Sequence, residues 1–271
     1  MGKASRNRLR GDPFRGNEQR VPHPEAPASP PVAGPGTLHV VATPIGNLED
    51  VTPRALRVLR EAAVIACEDT RVTGMLLKHL GIERGDRRLV PYHDVNERRA
   101  CHQLVEILQA GQDVALVSDA GTPLLSDPGY RVVSMCRELH LPVVPVPGPC
   151  AAVAALCAAG LPSDRFTFYG FLPAKSGRRL RLVETLREDG GTCIFYVPAR
   201  QVDAVLADFQ AARPDWRVVV ARELTKMFEE FLSGTAAEVR ASVAGRVLKG
   251  EVTLLAAPPA DAKPIDPDAD E

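Results

Sequence analysis

Short apolar runs alternate with longer amphipathic segments between about residue 38 and residue 257 of this 271-residue chain. Such alternation is typical of βαβ units, in which each strand of a parallel sheet is followed by a helix. One helix is predicted to begin at Pro53 after a threonine N-cap at Thr52, and others lie near residues 71–80, 97–110 and 129–139. The pattern predicts an α/β fold with a mainly parallel first sheet.

The second half of the chain has a different order of predicted elements. A helix of small residues near 149–159 ends at Gly160, and we place a domain junction at this helix. Strands are expected near residues 166–169, 193–196, 218–221, 229–232 and 252–256, with helices near 180–187, 202–211 and 236–244. The strands near 218 and 229 have no helix between them, so this sheet should be mixed, with one antiparallel pair. We therefore expect two α/β domains, residues 37–149 and 150–257.

Composition separates both ends of the chain from the predicted domains. Residues 1–36 are rich in proline and arginine and contain few large apolar residues, which predicts a disordered basic extension. Residues 258–271 are rich in proline and aspartate, which predicts a disordered acidic tail. The formal net charge of −1 excludes a uniformly basic nucleic-acid binder, so any polyanion should contact a local patch.

Cysteine spacing and hydropathy indicate the compartment. None of the six cysteines forms a Cys-x-x-Cys pair and most lie in apolar runs, which predicts reduced thiols and a cytoplasmic protein. The six histidines complete no zinc-ligand spacing, so no metal is expected. Every apolar run is shorter than the ~18 residues of a membrane helix. The N-terminus also lacks the apolar core of a secretory leader, and we expect no membrane partner.

Three loops rich in glycine and proline follow predicted strands in the first half. They are residues 43–47, 118–123 and 147–149. Gly121 permits close approach of the backbone to a ligand, and Asp119 lies at the carboxyl end of a strand, where open α/β sheets bind ligands. The loops predict one small-molecule site built from several turns. The alternative is that each loop only connects a strand to a helix.

Several polar residues near the predicted strand ends are candidates for chemistry. Glu68 and Asp69 follow an apolar run and precede a helix, where acidic residues also serve as helix caps. His93 is a candidate proton acceptor at neutral pH. Lys226 could receive a proton if desolvated, or could form a surface ion pair with Glu223. The residues alone do not choose among these four candidate bases.

An aromatic run at residues 168–171 precedes a group of cations. Aromatic rings stack on bases and cations bind phosphate, so this segment is a candidate RNA contact. The cations are Lys175, Arg178, Arg179 and Arg181. The alternative is a core strand followed by a solvated helix face.

Seven segments, in order along the chain, resemble one known family. They are residues 43–48, 68–71, 118–129, 147–151, 160–166, 170–173 and 221–226. The family is the bacterial ribosomal RNA small subunit methyltransferase I family, within the tetrapyrrole (corrin/porphyrin) methylase superfamily. The resemblance covers about residues 38–257. It implies two α/β domains with an S-adenosylmethionine site in the cleft between them, and S-adenosylmethionine-dependent 2′-O-methylation of a cytidine in small-subunit (16S) ribosomal RNA.

The resemblance also implies partners and residue roles: ribosomal RNA or the 30S subunit as substrate, and a homodimer. Donor-binding residues would be Pro44, Ile45, Gly46, Asp119, Ala120, Gly121, Thr122, Cys150, Ala151, Phe171 and Leu172. The candidate proton acceptors would be Lys226, Glu68, Asp69 and His93. RNA contacts would come from Arg71, Lys175, Arg178, Arg179, Arg181 and Arg222.

One segment departs from the family pattern. After Phe195 and Tyr196 the chain continues Val-Pro-Ala-Arg, where the family usually has an acidic residue and a histidine. Other possible functions are a tetrapyrrole or diphthine-type methylase of the same superfamily, and a ribosome assembly factor that lost catalysis. Binding of S-adenosylmethionine separates the methylases from the assembly factor.

Overall fold

The computed structural model describes residues 34–83, 85–187 and 191–259. The chain divides into two compact units, Met1–Cys150 and Ala151–Glu271. The sequence pattern places this junction between residues 149 and 150. The two predicted disordered ends lie outside the described residues, apart from residues 34–36, 258 and 259.

The first unit contains one five-stranded sheet. Its strands are β1 (Leu38–Val41), β2 (Val64–Cys67), β3 (Arg88–Pro91), β4 (Val114–Val117) and β5 (Val143–Val146). Its helices are α1 (Pro53–Glu61), α2 (Thr70–His79), α3 (Glu97–Gln109) and α4 (Tyr130–Glu138). The strand order is β3-β2-β4-β1-β5, and all neighbouring strands run parallel. The predicted parallel sheet is confirmed.

Apolar side chains cover both faces of this sheet, as expected where helices pack on each side of parallel strands. In β2, Ile65 faces a core that contains Leu56 of α1, whereas Ala66 faces a core that contains Leu104 of α3. Successive strand side chains point to opposite faces, so a strand buried on both faces is apolar at every position. This is why β2 and β4 are continuous apolar runs in the sequence.

The second unit contains a mixed five-stranded sheet. Its strands are β6 (Phe166–Phe171), β7 (Thr192–Pro198), β8 (Arg217–Arg222), β9 (Glu230–Thr235) and β10 (Glu251–Ala257). Its helices are α5 (Ala151–Ala158), α6 (Ser176–Thr185), α7 (Val202–Ala212) and α8 (Ala236–Ser242). The order is β6-β7-β10-β8-β9; β6 is parallel to β7, and the other neighbours are antiparallel. The predicted antiparallel pair is β8 and β9.

Local sequence signals fix two of the helix starts. Thr52 caps α1, because its hydroxyl accepts a hydrogen bond from the Ala55 amide (3.1 Å). At α8 the Thr235 hydroxyl accepts from the Glu238 amide and the Glu238 carboxylate accepts from the Thr235 amide. This is the capping box that the sequence predicts.

The connection from β3 to α3 depends on the side chain of one asparagine. Asn96 occupies the N-cap position of α3 but does not cap the helix. Its Oδ1 accepts a hydrogen bond from the His93 amide (2.9 Å), and its Nδ2 donates to the Pro91 carbonyl (2.9 Å). The side chain therefore closes the turn before the helix. The apolar pattern does not predict β3, because its apolar run is only Leu89 and Val90, between Arg88 and Pro91.

Arg179 differs from the other cations of α6. It is only 3% exposed, and its guanidinium forms an ion pair with Asp208 of α7. Arg178 and Arg181 are exposed, because neighbouring positions on a helix face in different directions. The expectation that Arg179 contacts RNA is therefore wrong. It joins α6 to α7 inside the second unit.

We expect Arg179→Ala to lower the free energy of unfolding by about 3 kcal/mol, because it leaves the largely buried Asp208 carboxylate unpaired. Urea denaturation followed by circular dichroism measures the change. Arg178→Ala, on the exposed face of the same helix, is the control and should stay within about 0.5 kcal/mol of wild type. Equal losses in the two variants would contradict the structural role of the ion pair.

Candidate active site

The carboxyl ends of β1, β2, β4 and β5 lie at one edge of the first sheet, because all these strands are parallel. Ligands of open α/β sheets bind at this edge. β1 is a neighbour of both β4 and β5. The fold therefore brings together the three loops that follow these strands, residues 43–47, 118–123 and 147–149. We refer to them below as the strand-end loops.

Backbone hydrogen bonds join the loops after β1 and β4. The Thr43 amide donates to the Gly121 carbonyl (2.8 Å), and the Gly121 amide donates to the Thr43 carbonyl (3.1 Å). Thr43 is completely buried, and its hydroxyl is 3.4 Å from the Ser118 carbonyl oxygen and 3.4 Å from that of Gly121. These hydrogen bonds thus hold the two loops together.

The loop after β5 is attached to this pair of loops. The Thr122 hydroxyl donates a hydrogen bond to the Pro149 carbonyl (2.9 Å). Gly148 packs against the end of β1: a Cβ at this position would lie 3.0 Å from the Ala42 Cβ. A side chain at Gly148 would therefore force the two loops apart.

Gly121 has the conformation that the sequence predicts for a glycine in this turn. Its φ is +86°, in the left-handed region that favours glycine. A Cβ on Gly121 would lie 3.3 Å from the Ile45 Cγ2. Any larger residue would strain the backbone and crowd the loop after β1.

Two carboxylates meet where β2 and β4 end. The Asp119 Oδ1 accepts a hydrogen bond from the Asp69 amide (3.1 Å). Asp69 caps α2 by accepting from the Arg71 amide (2.8 Å), and its carboxylate also pairs with the Arg71 guanidinium (2.7 Å). The hydrogen bonds from Arg71 lower the pKa of Asp69 to about 2. Asp69 is therefore ionised at neutral pH.

The sequence pattern does not single out a third carboxyl group, Asp127. It is half-buried in the segment after β4 and accepts a hydrogen bond from the Ser118 side chain. Burial raises the pKa of Asp127 to about 6, and the charges of Asp119 and Asp94 add to this effect. Titratable groups with perturbed pKa values cluster at functional sites. The sequence signal that could have identified Asp127 is that it is a second aspartate in the loop segment that contains Asp119.

The environment of Lys226 does not suit a proton acceptor. It follows β8, and its Nζ donates to Glu223 Oε1 (3.0 Å) and Glu251 Oε2 (2.8 Å). Burial opposes its charge, but the hydrogen bonds and charges of Glu251 and Glu223 raise the pKa of Lys226 overall. A permanently protonated ammonium does not accept a proton. The arrangement matches the ion pair that the sequence left as the alternative.

The remaining candidate bases, Glu68 and His93, lie after β2 and β3. Both are half-buried. β2 is next to β4 in the sheet, whereas β3 is the outermost strand. Glu68 follows the strand next to β4, and His93 follows a strand that is one position further away. Glu68 is therefore closer to Asp119 and the strand-end loops.

The other predicted donor-binding residues differ in exposure. Pro44 and Ile45 are buried, Gly46, Thr122 and Cys150 are half-buried, Ala120 is exposed, and Ala151 begins α5. In the second unit, Leu172 is buried in the core next to β6. Phe171 is 60% exposed, with its ring centroid 5.6 Å from that of Tyr196. The structure places the predicted donor-binding residues of the first unit, from Pro44 to Cys150, at one edge of one sheet.

The predicted RNA contacts also differ in availability. Lys175, Arg178 and Arg181 are exposed on or beside α6. Arg71 is 86% exposed although it pairs with Asp69. Arg222 is half-buried, and its guanidinium pairs with Glu230 (3.0 Å).

Two features are absent from residues 34–83, 85–187 and 191–259. Among these residues, no group of three or more His, Cys, Asp or Glu side chains is placed to hold a metal ion. Over the same part of the chain, each helix is too short or too polar to cross a membrane.

Comparison with known proteins gives close relatives. Residues 37–240 match the family of Tetrapyrrole (Corrin/Porphyrin) Methylases. The chain is 51% identical over 226 residues to ribosomal RNA small subunit methyltransferase I of Pseudomonas aeruginosa, which covers 82% of this chain and 79% of that protein. It is 50% identical over 206 residues to the protein of the same name from Pasteurella multocida, with coverages of 76% and 72%. The chain belongs to the ribosomal RNA small subunit methyltransferase I family of tetrapyrrole methylases.

A solved structure has the same fold as this chain. A uroporphyrin-III C-methyltransferase from Thermus thermophilus, complexed with S-adenyl homocysteine, aligns with a TM-score of 0.56 at 17% identity. The alignment covers 82% of this chain and 97% of that structure. The expected fold class and the family resemblance are both confirmed.

We expect Asp127→Asn to stabilise the protein by about 1 kcal/mol at neutral pH. A carboxyl whose pKa rises from 3.8 to about 6 on folding binds more protons in the native state between these values. Its contribution to stability therefore falls as the pH rises from about 4 to 6. This rise in the pKa corresponds to about 3 kcal/mol, which solvent screening of this partly exposed group reduces.

Urea denaturation at pH 4 and pH 7 tests this expectation. The difference between Asp127→Asn and wild type should be larger at pH 7. Asp164→Asn, at an exposed position, is the control and should have the pH dependence of wild type. An unchanged pH dependence in Asp127→Asn would show that the pKa of Asp127 is not raised.

Proposed function

We propose that the chain transfers the methyl group of S-adenosylmethionine to the ribose 2′-hydroxyl of a cytidine in small-subunit ribosomal RNA. The observation that carries this proposal is the set of joined strand-end loops with Asp119 and Gly121, in a chain whose relatives are named ribosomal RNA small subunit methyltransferase I. The resemblance supplies the 2′-hydroxyl of cytidine as the acceptor.

The residues of the strand-end loops fit S-adenosylmethionine. Gly121 is buried with φ +86°, and a Cβ there would crowd Ile45, so glycine keeps these loops in the shape that a ligand would contact. The half-buried Asp119 carboxylate would complement a positive sulfonium or amino group. When bound, S-adenosylmethionine supplies an electrophilic methyl group on a positively charged sulfur.

Two tasks then remain for the protein: to align the ribose hydroxyl and to accept its proton. Alignment of reacting groups can lower a barrier by as much as about 7–11 kcal/mol. A ribose hydroxyl is a weak acid, so a base assists the reaction. We place this role on Glu68, because the low pKa of Asp69 and the ion-paired state of Lys226 make both poor proton acceptors.

Exposed groups on the second unit suit single-stranded RNA. Phe168 and Phe171 pack edge-on against Tyr196, with ring centroids 4.9 and 5.6 Å away. Three cations on or beside α6 follow this aromatic cluster: Lys175, Arg178 and Arg181. Unstacked bases bind aromatic faces and phosphates bind cations. We assign RNA contact to these residues and to the exposed Arg71.

A homodimer and a cytoplasmic location also belong to this proposal. The second unit exposes three large apolar side chains: Met227 by 80%, Phe228 by 68% and Val247 by 84%. Grouped exposed apolar side chains are typical of interaction surfaces. They support association with a second copy.

The activity is tested by incubation of purified protein with small-subunit ribosomal RNA and S-adenosylmethionine, followed by mapping of ribose methylation. We expect one cytidine to gain a 2′-O-methyl group. Donor binding without methylation of RNA would favour another substrate of the superfamily. Absence of donor binding would favour the assembly factor.

We expect Gly121→Ala to weaken S-adenosylmethionine binding at least tenfold, about 1.4 kcal/mol or more. The reason is the strained φ of +86° and the approach of the new Cβ to Ile45. Gly81→Ala is the matched control, because Gly81 has φ +65° with nothing within 4 Å of its Cβ position. Calorimetry measures both affinities. Similar affinities in two folded variants would remove Gly121 from the donor site.

We expect Glu68→Gln to slow single-turnover methylation by about 10²–10⁴-fold with RNA and donor saturating. Asp69→Asn, His93→Gln and Lys226→Met should each change this rate less than Glu68→Gln does. A loss in Lys226→Met as large as that in Glu68→Gln would contradict the ion-pair assignment. Near-normal rates in all four variants would show that catalysis proceeds by alignment, with water accepting the proton.

A further inference from the structure

A cavity of about 220 Å³ opens beside the edge strand β3, away from the strand-end loops. It is lined by the four residues of β3 and by Asn96, Arg99, Ala100 and Gln103. Asn96, Arg99 and Gln103 recur at three- to four-residue spacing, so they lie along one face of α3. The strand adds Arg88. A strand and a helix thus present two guanidinium groups and two carboxamides to one space.

The charges of this cavity are not balanced by the protein. Arg88 and Arg99 are exposed, and neither forms an ion pair within the residues that the structure describes. None of the residues that line the cavity is acidic. By contrast, Arg57 pairs with Glu61 (2.8 Å) and Arg240 pairs with Asp203 (2.8 Å). Two guanidinium groups that face one cavity without a counter-charge favour a bound anion.

The backbone of β3 adds a further donor. The Arg88 amide donates to the Ala63 carbonyl (3.0 Å) and the Tyr92 amide donates to the Cys67 carbonyl (2.7 Å), both towards β2. Alternate amides of a strand point to opposite sides, so the Leu89 amide points away from β2. Pro91 has no amide hydrogen. The residues around the cavity are thus rich in hydrogen-bond donors.

This set of donors suits a phosphate group. A guanidinium is a planar fork of N–H donors that matches two phosphate oxygens at once. The Gln103 amide nitrogen is a neutral donor, and Asn96 Nδ2 has a second N–H besides the one that donates to the Pro91 carbonyl. A base or an apolar ligand would leave both charges unmatched.

We propose that the β3–α3 cavity binds a backbone phosphate of the ribosomal RNA substrate. The inference rests on the proposed function, since the RNA supplies the phosphate. β3 is parallel to β2 and β4 and lies two strands from β4, about 10 Å away. Its carboxyl end therefore lies at the same edge of the sheet as Glu68 and Asp119. An RNA strand held at the cavity passes within a few nucleotides of that edge.

The test compares two double variants of the full chain. Arg88→Gln/Arg99→Gln removes the two unpaired charges of the cavity. Arg57→Gln/Arg240→Gln removes the same total charge from arginines that already have acidic partners. Affinity for a single-stranded fragment of small-subunit ribosomal RNA is measured by fluorescence anisotropy from about 50 to about 200 mM salt.

We expect the cavity variant to flatten the plot of log affinity against log salt by about 0.7, the value for one lost phosphate contact on a single strand. The control variant should keep the wild-type slope, and both variants should keep the wild-type affinity for S-adenosylmethionine. Arg88→Lys/Arg99→Lys retains the charges and should restore most of the slope. Equal slopes in the cavity and control variants overturn the proposal.

Three other outcomes are distinguishable. Inorganic phosphate that raises the melting temperature of wild type but not of the cavity variant, with unchanged RNA slopes, overturns the proposal in favour of a free-anion site. A wild-type chain that binds S-adenosylmethionine but has no affinity for the RNA refutes the proposed function itself. A wild-type chain that methylates the RNA while the cavity variant keeps its slope refutes only this site.

Discussion

The paired amides and carbonyls of Thr43 and Gly121 are the constraint on which the candidate active site depends. β1 and β4 are already neighbours, and this bridge extends their contact beyond the strand ends. Both residues are buried, so loss of the bridge would leave buried backbone groups unsatisfied. The Thr122 contact with Pro149 adds the third loop. The loops are therefore held in position before a ligand binds, which lowers the entropy lost on binding.

The cations have different partners in a chain with a net charge of −1. Three of them have acidic partners: Arg179 with Asp208, Arg222 with Glu230, and Lys226 with two glutamates. Arg87 and Arg213 instead donate to backbone carbonyls. Arg88 and Arg99 have no acidic partner among the described residues. Cations without internal partners remain available to an external polyanion. A local phosphate-binding surface is thus compatible with a nearly neutral chain.

The sequence predicts those features that depend on local geometry. Gly121 was predictable because a turn with positive φ selects glycine, and the parallel sheet was predictable because β2 and β4 are apolar throughout. The burial of Arg179 was not predictable, because only packing against α7 decides which of several adjacent arginines is covered. The state of Lys226 depends on Glu251, which is 25 residues away and on a different strand. The raised pKa of Asp127 likewise depends on burial that no local pattern encodes.

Asp69 and Asp127 have opposite pH linkage beside the same loops. The pKa of Asp69 falls to about 2 on folding, so its stabilisation is complete above pH 4 and is lost towards pH 2. The pKa of Asp127 rises to about 6, so its contribution falls between pH 4 and pH 6. The combined contribution of the two carboxyl groups to the free energy of unfolding is greatest near pH 4. At neutral pH the ionised Asp127 therefore carries an energetic cost, whereas the ionised Asp69 is stabilised by Arg71. Under the proposed function, a positive sulfonium beside Asp127 would offset this cost, and a neutral thioether product would not.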